Sequence, residues 1–211
     1  MTRLQIGFRG ERNYLHSVDL LDGVVGYFLS GSRNAIFSGE LAIKFLRPMN
    51  TVPNLEITNP ERRFDNDLKT AATFRIRCEG KVIHGRLKAS EEIVKLRTAV
   101  NERSVKNLLE ESHFAASFRE DANVSIQEAI VIGARSMLET QISHAENFRW
   151  AVAHLNFEGL PVSLAAPHAS LTCLRLAISP GARAADREFH SLEIFWRDRP
   201  TGEIILRRVP R

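Results

Sequence analysis

The chain has 211 residues, enough for one large domain or for two small units that share a core. Hydrophobic residues make up 44% and charged residues 26%, a globular balance that excludes general disorder. A formal net charge of +4 favours anionic partners only weakly, and no basic cluster is dense enough to point to nucleic acid.

Met1-Thr2-Arg3-Leu4-Gln5 lacks the apolar core of a signal peptide, and no apolar run is long enough to span a bilayer, so a cytoplasmic protein is expected. Phe8-Arg9 opens a short strand, followed by a polar loop. A helix follows, in which Val18, Leu20, Leu21, Val24, Val25, Tyr27 and Phe28 leave little polar face. Alternation predicts a strand over Ala35 to Phe45, then strands over Asn54 to Thr58 and Thr70 to Cys78. Glu79-Gly80-Lys81 turns the chain into Val82 to Leu87, a hairpin. Ser90 with Glu91 and Glu92 reads as a helix start. The spacing of Ile93, Leu96, Val100, Val105, Leu108 and Leu109 then predicts a helical connector over 90–111.

The pattern then recurs. Phe118-Arg119 stands 110 positions after Phe8-Arg9, and without a gap Leu20 meets Ile130, Leu21 meets Val131 and Gly23 meets Gly133. A second apolar helix runs through Ile126, Ala129, Ile130, Val131, Ile132, Ala134, Met137 and Leu138. Strands are predicted over Arg149 to Phe157, Ser170 to Ile178 and Glu188 to Trp196. A turn through Arg199-Pro200-Thr201-Gly202 leads to a last strand, Glu203 to Val209. Each half is thus strand, helix, four strands, with units at 1–89 and 112–211. A helix apolar nearly all round must be buried on most sides, which an antiparallel sheet wrapped on it provides. Setting two such units edge to edge makes one continuous sheet and protects the inner edges.

Ala42 to Leu87 contains Phe45-Leu46-Arg47-Pro48 at a strand end, then a loop, an outgoing strand and a terminal hairpin. Upstream stands Leu20-Leu21-Asp22-Gly23-Val24-Val25-Gly26-Tyr27. Together these resemble the hotdog acyl-CoA thioesterases of the phenylacetate type, over roughly residues 5–88. The second half is similar only in element order. The resemblance implies an α+β double hotdog, with one continuous antiparallel sheet around two central helices. In that family a helix aspartate acts on the thioester as nucleophile or general base, and the matching position is Asp22. The family's preceding loop carries His-Gly-Gly. Here Asn13-Tyr14-Leu15 fall on it, so the glycines are gone, and His16 matches the histidine only across a deletion.

Asp22 stands in an apolar stripe, where a carboxylate is costly unless paired or wetted. It is either the catalytic group or a carboxylate satisfied structurally. His16 could polarise a carbonyl or move a proton, or could simply cap the helix. Asp19, three residues from both His16 and Asp22, shares their helix face. Asn13, Tyr14 and Asp19 are candidate substrate contacts. Glu128 faintly resembles the helix acid of hotdog hydroxyacyl dehydratases, and could pair with His16 across the units. Its plainer reading is a first-turn acid favoured by the helix dipole. Asp121, in the pre-helix loop, reads as a cap. Cys78 and Cys173 lie in apolar runs and read as buried thiols. His154, His168 and His190 lack metal-ligand spacing.

Three functions are therefore open: an acyl-thioester hydrolase with one surviving site, a hydroxyacyl-thioester dehydratase or hydratase using His16 and Glu128, and a non-catalytic acyl-binding module. One site only is expected, because Asp22 corresponds to Ile132 and His16 to Ile126. No separate cofactor is expected beyond coenzyme A or phosphopantetheine carried by the substrate. An acidic acyl carrier protein and a second copy of the chain are candidate partners.

Overall fold

The computed structural model describes residues 2–9, 15–29, 36–37, 39–58, 67–78, 80–98, 106–107, 109–112, 115–119, 124–141, 148–163, 170–179 and 188–210. The first half carries β1 (Thr2–Arg3), β2 (Phe8–Arg9), α1 (Ser17–Phe28), β3 (Ile36–Phe37), β4 (Glu40–Phe45), β5 (Thr51–Thr58), β6 (Thr70–Cys78), β7 (Lys81–Ile93) and β8 (Arg97–Thr98). The second carries β9 (Leu109–Ser112), β10 (Ala115–Phe118), α2 (Ile126–Gln141), β11 (Phe148–Glu158), β12 (Val162–Ser163), β13 (Leu174–Ile178), β14 (Phe189–Trp196) and β15 (Arg199–Pro210). No helix among the described residues is long and apolar enough to cross a membrane.

Eleven strands form one sheet in the order β1-β5-β7-β6-β4-β11-β15-β14-β13-β10-β9. The expected continuous antiparallel sheet is therefore present, and β4 and β11 are the seam between the halves. Along the seam Lys44 faces His154, Ile43 faces Leu155, Leu41 faces Phe157 and Glu40 faces Glu158. Alternation decides which side is core. Leu41, Ile43 and Phe45 are buried, whereas Glu40, Ala42 and Lys44 between them are not.

Both helices complete that core. α1 buries Val18, Leu20, Leu21, Val24 and Val25, and α2 is buried along nearly its whole length. Two glycines let the helices close on their neighbours, the segment after β1 for α1 and the sheet for α2. A methyl group on Gly23 would run into Ile6 and Leu4, and one on Gly133 would crowd Leu176 and Phe118. These are the two glycines that the repeat aligns.

The halves share elements but differ in how they are threaded. In the first, β5 and β6 are consecutive in the chain yet separated in the sheet by β7. In the second, β13, β14 and β15 are consecutive in both, and β15 rather than β14 lies next to the seam.

Several boundaries correct the expectations. The strand over Ala35 to Phe45 divides: β3 leaves to pair with β12, Phe37 facing Val162, and only β4 joins the large sheet. The helix start at Ser90 is strand instead, because β7 keeps pairing with β5 as far as Ile93 opposite Thr51. Ile93 and Leu96 are 63% and 68% exposed, so their helical spacing marks no buried stripe. Within the connector, Arg97–Thr98 and Leu109–Ser112 are also strand, 106–107 are helical as expected, and 99–105 and 108 lie outside the described residues. The last turn is not Arg199 to Gly202. It is Arg197-Asp198, with φ of 51° and 61°, the paired positive values of a two-residue hairpin turn. Pro200 lies in β15 opposite Phe195, beside a register shift that accommodates its missing N–H. Leu171–Cys173 form a 3-10 turn ahead of β13.

Gly85 faces Phe74 across β6 and β7, and a side chain there would run into the Phe74 ring. Phe74 in turn meets Phe28 of α1 edge-on, with ring centroids 6.0 Å apart. Gly85→Val is expected to destabilise the fold by about 1–3 kcal/mol, the usual cost of overpacking. A thermal melt matching the wild type would show that Phe74 can move aside.

Candidate functional site

α1 opens at His16, which has extended backbone angles and is the N-cap residue. Its N–H donates to Asp19 Oδ2 at 2.6 Å, the acidic arm of a capping box. The His16 ring lies beside Ser17, with Nδ1 and Oγ 3.4 Å apart. Asp19 is 3% exposed, so its carboxylate is turned back onto its own helix end. α2 opens in the same manner. Ser125 Oγ accepts the Glu128 N–H at 3.3 Å, and the Ser125 carbonyl accepts the Ala129 N–H at 2.9 Å. Glu128 is thus a buried first-turn acid.

One turn into α1 from Asp19, Asp22 is half-buried, and Gln127 of the second unit reaches it. Gln127 Nε2 donates to Asp22 Oδ1 at 2.8 Å, joining residues 105 positions apart. An ionised carboxylate only accepts, so the amide nitrogen must be the end of Gln127 that faces it. The bond fixes the direction of the carboxylate. Gln127 belongs to the first turn of α2, so this bond links the two helices of the fold.

The structure thus brings Asp22 together with Gln127, and His16 together with Asp19. It places Glu128 next to Gln127 in sequence, within the same first turn. Asn13 and Tyr14 lie outside the described residues, as do Asp121 and His168. Sequence reasoning missed Gln127, although one signal was available: a long polar side chain at the start of a helix otherwise apolar all round. Cys173 is half-buried. Trp150 packs edge-on against buried His190, with ring centroids 5.0 Å apart.

No family model matches the sequence, and no curated protein matches it. Solved structures do match. The tesB protein of Mycobacterium avium subspecies paratuberculosis has a TM-score of 0.42 at 9% identity, covering 96% of this chain and 89% of that one. Acyl-CoA thioesterase II TesB2 from Mycobacterium marinum has a TM-score of 0.37 at 11% identity, covering 92% and 88%. The dehydratase domain from the CurJ module of curacin polyketide synthase has a TM-score of 0.46 at 7% identity, covering 95% and 85%. The chain's own topology is what decides its architecture: two helix-bearing halves of one antiparallel sheet, in side-by-side contact through β4 and β11. The fold is a double hotdog. Within this double hotdog the described polar pair that spans the units is on the helices, and only α1 supplies its carboxylate.

Proposed function

We propose that this double hotdog is an acyl-thioester hydrolase with one site, centred on Asp22. The observation that carries this is the Asp22–Gln127 hydrogen bond, an oriented carboxylate placed against a helix N-terminus where the two units meet. Asp22 would take a proton from water as the water oxygen bonds to the thioester carbon. The His16 ring, or a nearby backbone N–H, would hold the developing oxyanion. Collapse of the tetrahedral adduct breaks the carbon–sulfur bond, and the departing thiolate takes the proton back from Asp22. The aligned position in α2 is Ile132, so the second unit supplies a wall and Gln127 rather than a second centre.

The substrate would bring its own coenzyme A or phosphopantetheine, and no other cofactor enters the scheme. A cytoplasmic enzyme, an acidic carrier protein as acyl donor and a homodimer of double hotdogs accord with this reading. The test is thiol release across a panel of acyl-CoA and acyl-carrier thioesters, run beside hydroxyacyl and enoyl thioesters followed by loss or gain of the double bond. Thiol release that vanishes in Asp22→Asn supports hydrolysis. Turnover confined to the hydroxyacyl or enoyl substrates, and dependent on both His16 and Glu128, would replace it with dehydration. Saturable binding with no turnover on any substrate would make the protein an acyl-binding module.

A further inference from the structure

The seam has an unusual pairing at its symmetry axis. Lys44 and His154 are 110 positions apart, the spacing of the internal repeat, and they are also each other's partners between β4 and β11. The axis relating the halves therefore passes between two basic side chains. Cations directly opposite each other on antiparallel strands are destabilising. This pair is tolerable while the histidine is neutral.

The surroundings of His154 favour the neutral form. From β4 it faces Lys44. From β15 it faces Ile205, with Glu203 and Arg207 on either side. Its own strand adds Asn156 on the same face. Glu203 is the acid among these, and it is already engaged: the Ser191 hydroxyl donates to its carboxylate, and its N–H donates to Asn156 Oδ1 at 3.0 Å. Burial pushes the His154 imidazole below its ordinary value of 6.5; Glu203 opposes this and Lys44 adds to it.

We propose that the seam is a proton-operated joint, in which protonation of His154 in mild acid sets two cations face to face and loosens the β4–β11 ladder. Because the folded chain takes up this proton less readily than the unfolded chain, the stability held by neutral His154 is complete above 6.5. It is lost as the pH falls below that point and through the lowered folded value. The joint holds together the units that carry Asp22 and Gln127, so mild acid would also slacken that contact. The inference goes beyond the thioester reading and does not depend on it, since its readout is structural.

The experiment is residue-resolved hydrogen exchange of the full chain at pH 7.5 and pH 5.5, expressed as protection factors to remove the intrinsic pH dependence. Amides of Leu41, Ile43, Leu155 and Phe157 report the seam, and those of Ile76 and Leu87 in β6 and β7 are the internal reference. Protection at the seam should fall severalfold more than at the reference. In His154→Gln the relative fall should vanish. In Lys44→Gln, at an exposed site where folding is not at stake, it should be smaller than in the wild type, burial of His154 still accounting for the rest. A seam that loses protection only in step with the reference would overturn the proposal. So would an undiminished relative fall in either variant.

Discussion

Asp22→Asn is expected to lower kcat for thioester hydrolysis by about 10²–10⁴-fold, the usual contribution of a positioned general base. Asparagine has nearly the same shape and still offers a carbonyl oxygen to the Gln127 amide. The bond between the helices can therefore persist while the base is gone. The thermal midpoint should stay within a few degrees of the wild type, since surface and half-buried isosteric changes away from a packing defect are small in effect. Activity and fold are thus separated in one variant. Gln127→Met tests the other end of the pair. A hydrogen bond to a charged group is worth about 1.5–3 kcal/mol, so removing the donor should cost roughly tenfold to a hundredfold in kcat/KM. An Asp22→Asn enzyme that still releases thiol at the wild-type rate would remove Asp22 from the chemistry altogether.

Phe157→Ala should give the largest loss of stability. Phe157 is 2% exposed and points into the core beside the seam, facing Leu41 across the ladder. Its ring meets Phe37 edge-on, with centroids 6.5 Å apart. Phe37 belongs to β3, which pairs with β12 of the other unit, so this aromatic contact ties the units at a second place. Truncating a fully buried phenylalanine costs about 3–5 kcal/mol through lost transfer energy and the cavity left behind. For a chain of this size that is a fall in thermal midpoint on the order of 10 °C, measurable by calorimetry. Phe157→Leu refills much of the volume and should recover more than half of the loss. A midpoint shift of only a degree or two in Phe157→Ala would mean that the units are not coupled through this ring.

Much of the fold was legible because its signals are local. The apolar circumference of each helix demanded burial on most sides, and the alternation in Glu40–Phe45 and Phe148–Glu158 fixed their inward faces. What escaped depends on partners distant in sequence. Ser90 to Ile93 carries the signature of a helix start, but β5 continues alongside it and makes it strand. Pro200 and Gly202 are the residues that usually mark a turn, yet Arg197 and Asp198 adopt the positive φ values. The site shows the same division. Asp22 drew notice as a carboxylate in an apolar stripe, whereas its partner Gln127 is 105 residues away and reads, in isolation, as an ordinary first-turn residue.

The unequal threading of the two halves has a consequence for how the chain assembles. In the meander β13-β14-β15 each strand pairs with the one made just before it, so its ladders close over short loops. In the first half β5 must wait for β7, with β6 already placed on the far side. Short closures are entropically cheap and fast, and long ones are slow. The carboxyl-terminal half, although last off the ribosome, is thus the one suited to nucleate. Its strand β11 would offer a ready edge on which β4 and the rest of the earlier-made half can zip up.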